Sequence, residues 1–162
     1  MPDTPFGPLG SLARDGDANV ITFQRAFAAP PSRVWKALTT ADGIMSWLGT
    51  EASVDARLGG EVSIRFDDQQ LVTGTITTWD PTSRFAHGWL INGEHDSHLE
   101  YELSENDGST VLTLTHTGLP DEMCGGYTPG WHAFLARLDA RLSGTSLPDW
   151  ETVFGAVVEA YA

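Results

Sequence analysis

The sequence predicts an α+β fold: a curved antiparallel sheet of about six to seven strands wrapped around one long C-terminal helix, with two short helices after the first long strand. Three observations predict it. Residues 51–119 alternate apolar and polar side chains and carry turn signals at fairly even spacing. Residues 30–48 switch to helical spacing directly after a strand. Residues 128–144 hold one amphipathic stripe, long enough to cover the face that such a sheet must bury.

The elements follow in order. Pro2, Pro5 and Gly7 mark 1–7 as a loose tail. Residues 8–27 form an N-terminal hairpin turning at Asp15-Gly16, and Ile21, Phe23 and Phe27 share one face of its second arm, with Arg25 as the exception. Pro30-Pro31-Ser32 opens a short helix with Val34, Trp35 and Leu38 as its stripe. Thr39 or Thr40 caps a second one carrying Ile44, Trp47 and Leu48. Strands are expected at 51–56, 61–66, 70–79, 84–91, 97–103 and 110–117. Gly59-Gly60, Asp67-Asp68, Asp80-Pro81, Asn92-Gly93 and Asn106-Asp107-Gly108 connect them, and connections this short make an antiparallel meander. Thr128 then caps a long helix over 129–143, with Pro129 in its first turn and Trp131, Phe134, Leu135, Leu138 and Leu142 on one side. Gly144 stops it. Asp149 caps an extra C-terminal helix over 149–161. No repeat or linker divides 1–162, so one domain is expected.

Composition narrows the function. Nine Lys and Arg against 22 Asp and Glu give a net charge of −13, which repels phosphate backbones and anionic headgroups, so neither nucleic acid nor a membrane is an expected partner. Hydrophobic residues make up 41% of the chain, a globular composition. Cys124 is the single cysteine, no run of apolar residues is long enough to span a bilayer, and no leader pattern precedes the first strand; a cytoplasmic location is expected. The unusual feature is aromatic content, six Trp and seven Phe in 162 residues.

No Gly-rich phosphate loop, His-Glu-x-x-His, Cys-x-x-Cys or nucleophile elbow is present. Neither a metal nor a cofactor is expected. Asp96, His98 and Glu100 share one face of a strand, but Leu99, Tyr101 and Leu103 make the other face apolar, so the polar trio faces solvent. His116 shares parity with Leu112 and Leu114, and His87 with Phe85, Trp89 and Ile91, so both imidazoles point inward. There they are candidates to orient a ligand or move a proton, or else core histidines satisfied by neighbours. Met123-Cys124-Gly125-Gly126 reads as the connector into the long helix and a conceivable gate. A sheet curved around one helix closes incompletely, which predicts an internal cavity. Its expected lining is Trp47 from the short helices, Phe66, Phe85, His87, Trp89, Tyr101, Leu114 and His116 from the strands, and Trp131, Phe134 and Leu138 from the helix. Trp35 and Trp79 are expected in the core.

Particular runs resemble a known superfamily. Residues 31–39 (Pro-Ser-Arg-Val-Trp-Lys-Ala-Leu-Thr) followed by Ile44-Met45-Ser46-Trp47-Leu48 are similar to the opening of the SRPBCC proteins, the START-like, birch-pollen-allergen-like helix-grip superfamily. Within it the chain resembles the group named after the C-terminal domain of the activator of heat-shock-protein-90 ATPase. Leu58-Gly59-Gly60-Glu61, Gly74-Thr75-Ile76, Trp79-Asp80-Pro81, Thr115-His116-Thr117-Gly118-Leu119, Gly130-Trp131 and Asp149-Trp150 carry the same likeness. It implies a helix-grip fold along nearly the whole chain. The superfamily hosts carriers, cyclases and hydroxylase domains, so three functions are in view. The first is a carrier or sensor for an apolar or aromatic small molecule held between sheet and long helix. The second is an enzyme of the polyketide cyclase-like kind, with His116 and His87 as its acid–base groups. The third is an interaction module for a chaperone ATPase, although the co-chaperone that names the group has a separate N-terminal contact domain for which this chain has no room.

Overall fold

The computed structural model describes residues 6–161, so the expected tail lies, apart from residues 6 and 7, outside the described residues. Eight strands form one antiparallel sheet: β1 (Ser11–Asp15), β2 (Ala18–Phe27), β3 (Glu51–Val54), β4 (Glu61–Asp67), β5 (Gln70–Asp80), β6 (Arg84–Ile91), β7 (His95–Asn106) and β8 (Ser109–Leu119). Their spatial order is β1-β2-β8-β7-β6-β5-β4-β3. The meander from β3 to β8 follows from its short turns, and Asn92-Gly93 and Asp107-Gly108 all take the positive φ that a tight two-residue hairpin turn requires. β2 then closes on β8, the last strand to be made.

Between β2 and β3 the chain crosses to the far edge of the sheet through α1 (Pro31–Thr39) and α2 (Ala41–Met45). Pro31 sits in the first turn of α1, and the Thr40 hydroxyl caps α2 by accepting the Gly43 N–H. Trp47 follows, buried, its indole donating to the Ala37 carbonyl at 2.9 Å, which pins the two short helices together. Among the described residues no helix is long and apolar enough to cross a membrane.

The long helix α3 spans Asp121–Ser143, starting eight residues before the expected Pro129. The segment read as a flexible connector, Met123 to Gly126, is therefore its first turns. Tertiary contacts explain the difference. Asp121 in the first turn accepts Asn19 Nδ2 at 2.7 Å and pairs with Arg14, and both partners hold its carboxyl below the usual range, Asn19 first. These bonds fasten the helix start to the β1–β2 hairpin. Pro129 sits in the interior, where it has no N–H for the Gly125 carbonyl four residues back. Gly144 ends the helix with φ 74°, as expected. Asp149 caps α4 (Trp150–Val157), accepting the Thr152 N–H at 3.2 Å. The expected single helix over 149–161 is thus α4 followed by a 3-10 turn, Val158–Tyr161. The Tyr161 hydroxyl accepts the Gly10 N–H at 2.9 Å and meets His132 Nδ1 at 2.6 Å, tying both chain ends to α3.

The core lies between α3 and the inner sheet face. Register places Ile21, His116, Leu99, His87 and Ile76 in one row across five strands, so both predicted inward histidines do point inward. Arg25, the exception on its strand, is buried with its guanidinium 5.2 Å from the Phe23 ring centre.

Candidate functional site

Aromatic side chains divide the space under α3 into a filled half and an open half. In the filled half Trp35, Trp79 and Phe85 pack ring on ring, with centroids 5.2 to 6.1 Å apart, and Phe85 stacks on Tyr101. At the other end, between α3, α4 and the strands β4 to β6, a cleft of about 770 Å³ remains.

Of the expected lining, Trp47, Phe66, Trp89, Trp131 and Phe134 face this cleft. Phe85, His87, Tyr101, Leu114, His116 and Leu138 do not border it; they pack in the core, as deeply buried as Trp47, Trp89 and Trp131 on the floor of the cleft. Parity fixes the inward face of a strand, but the height at which the helix and the plugging rings meet that face decides which inward residues stay open. Residues outside the expected lining also border it, among them Met123, Tyr127, Arg137, Trp150 and Phe154. Met123, Tyr127, Gly130, Phe134 and Arg137 recur every three or four residues on one side of α3. That stripe was hidden by reading Pro129 as the helix start.

A ladder of rings runs from floor to rim of the cleft. Trp89 lies 5.3 Å from Trp131, Trp131 lies 6.1 Å from Phe134, Phe134 lies 5.6 Å from Trp150, and Trp150 stacks on Phe154 at 5.0 Å. Phe66 closes the far wall, 5.7 Å from Trp89. A hydroxyl sits among the rings: the Tyr127 hydroxyl accepts the Trp89 indole N–H at 3.0 Å and keeps its own proton to donate, burial holding the phenol above its ordinary pKa. Arg137 is the cation at the cleft. Its Nε donates to the Trp47 carbonyl at 3.3 Å and Nη1 to the Pro148 carbonyl at 2.7 Å, which joins α3 to the plug and to the segment before α4.

The histidines stand behind this lining. Trp131 Nε1, which can only donate, gives its proton to His116 Nδ1 at 3.0 Å. His116 Nε2 therefore carries the ring proton and donates to Ser97 Oγ at 2.8 Å, and Ser97 donates on to the Trp89 carbonyl. His87 Nδ1 donates to the Gly88 carbonyl at 2.7 Å. Burial lowers His87 to about 4 and His116 to about 3, so both are neutral at physiological pH. Both rings stand behind the lining rather than in it. Cys124 is buried in α3, its thiol pushed up by burial and bonded to the Pro120 carbonyl.

On the outer sheet face Asp96 and His98 border a shallow groove of about 640 Å³ with Thr73, Thr75 and Gly88. His98 Nε2 meets Thr77 Oγ1 at 2.8 Å, and Glu100 pairs with Arg84 at 2.6 Å. Among the described residues no cluster of three or more His, Cys, Asp or Glu side chains is placed to hold a metal.

The family model for "Activator of Hsp90 ATPase homolog 1-like protein" matches residues 28–143. No curated protein matches the sequence. Among solved structures, CalU16 from Micromonospora echinospora is 28% identical with a TM-score of 0.79, the match covering 94% of each chain. The protein encoded by BPP1335 from Bordetella parapertussis is 26% identical with a TM-score of 0.70, over 99% of this chain and 92% of that one. The Aha1 dimer from Colwellia psychrerythraea has a TM-score of 0.66 at 22% identity, over 76% of this chain and 95% of that one. These likenesses agree with the helix-grip architecture.

Proposed function

We propose that this chain, which belongs to the Activator of Hsp90 ATPase homolog 1-like family, binds an apolar or aromatic small molecule in the cleft beside α3 and α4. The observation that carries the proposal is the ladder of rings around about 770 Å³ of open space. The half-buried rings Phe66, Phe134, Trp150 and Phe154 gain about 25 cal/mol for each Å² that a ligand removes from water. The Tyr127 proton offers one hydrogen bond to orient the ligand, the usual composition of a small-molecule pocket. The enzymatic alternative rested on His87 and His116, whose protons are taken up by Gly88 and Ser97.

The test is a titration with the neutral dye Nile red. Trp47, Trp89, Trp131 and Trp150 line the cleft, so saturable one-to-one binding should change tryptophan emission as the dye brightens. The blocking variant is Gly126→Phe. Gly126 faces the cleft from an exposed helical position with nothing within 4 Å of an added Cβ, so the ring can enter the cleft without disturbing the fold. It should weaken the dye about tenfold, the worth of roughly one displaced ring contact. Equal dye affinity in the variant, or no saturable binding to the folded native chain, would defeat the proposal.

A further inference from the structure

The mouth of the cleft has a charge pattern that the ring ladder alone does not require. Four carboxylates border it: Asp67 at the end of β4, Glu122 in the first turn of α3, Asp149 at the cap of α4 and Glu151 in its first turn. All four are exposed. Asp149 is engaged as a helix cap and Asp67 accepts the Gln69 N–H at 2.8 Å. Glu122 and Glu151 have no ion-pair partner among the described residues. Against these stands Arg137, with Nε and Nη1 directed to backbone carbonyls. The whole chain, at −13, adds a field of the same sign. Carboxylates at the rim of an apolar cleft concentrate cations and turn away anions. The rings beneath add to that preference, because the π faces of Trp and Phe attract an ammonium group. Glu151 and Trp150, both in the first turn of α4, border the same cleft, so a carboxylate and a π face are present on one stretch of the rim.

From this coincidence we infer that the cleft selects an amphipathic amine, with its aromatic or apolar body on the ring ladder and its ammonium group at the Glu122–Glu151 mouth. The inference rests on the cleft being the binding site and adds the charge class of the ligand.

Three isosteric probes separate the two statements by calorimetry: 2-naphthylmethylammonium, neutral 2-naphthylmethanol and anionic 2-naphthoate. The ammonium should bind about five- to tenfold more tightly than the alcohol at low ionic strength, and the naphthoate most weakly. High salt should shrink the advantage. The double variant Glu122→Gln/Glu151→Gln, at two exposed positions, should reduce the advantage to less than about twofold while leaving the alcohol unchanged. Naphthoate binding as tightly as the ammonium, or an amine preference that survives the double substitution, would overturn the inference; in either case continued binding of the alcohol would leave the cleft as a binding site. Failure of all three probes to bind would remove both.

Discussion

His116 shows how one side chain can be central to the interior and absent from the chemistry. Its two nitrogens are committed in opposite senses, one accepting from Trp131 and the other donating to Ser97, so the tautomer follows from the neighbours. A second proton would have to be placed on Nδ1, facing the Trp131 N–H. Replacing His116 with Leu keeps comparable bulk but orphans that indole donor. A buried donor without a partner costs about 1–3 kcal/mol, to be read as a lower urea midpoint at unchanged slope. Nile red affinity should stay within about twofold, since the ring lies behind the lining; a tenfold loss would return His116 to the site. The inward direction of this residue is readable from its parity with Leu112 and Leu114. Its partners are not, because Ser97 is set by sheet register and Trp131 comes from the helix, and neither is local in sequence.

At the scale of elements, α3 holds the main lesson. Local chemistry favours a start at Pro129, behind a Thr in capping position, and assigns the glycine pair before it to a loop. The bonds of Asp121 to Asn19 and Arg14 extend the helix across both glycines instead. With that extension come Met123 and Tyr127, cleft residues that strand periodicity has no means of showing. The glycines are then a cost the helix carries. Gly125 is exposed and an added Cβ would meet nothing within 4 Å, so Gly125→Ala should stabilise by about 1 kcal/mol. A thermal melt should show a rise of about 2–4 °C. A fall would mean that the first turns of α3 are not helical in solution. The strands, by contrast, are legible to within about three residues at each end, because Asn92-Gly93 and Asp107-Gly108 have few other conformations open to them.

For the whole molecule, the buried histidines set the response to acid. His87 is held near 4 and His116 near 3, chiefly by burial, with His87 also disfavouring charge on His116 and His98 disfavouring charge on both. His132 is held near 4 by burial first and by Arg25 second. The unfolded chain protonates all three near 6.5, so from about 6.5 down to about 4 it binds protons that the folded chain refuses. Stability is therefore intact above that window and falls within it, each group adding a slope of at most about 1.4 kcal/mol per pH unit. Urea midpoints measured from pH 7 to pH 5 should drop steeply, and flat midpoints would contradict the three neutral rings. The closure of the sheet has a consequence of another kind, in time. Gln24 on β2 meets Thr113 on β8, 89 residues further along the chain, whereas the meander pairs are hairpins between neighbours. Bringing distant segments together carries a loop-closure entropy that the hairpins avoid, and folding slows as contacts become less local. The meander can zip strand by strand, but the β2–β8 seam must wait for both ends of the chain to meet, which makes it the slow step in completing this sheet.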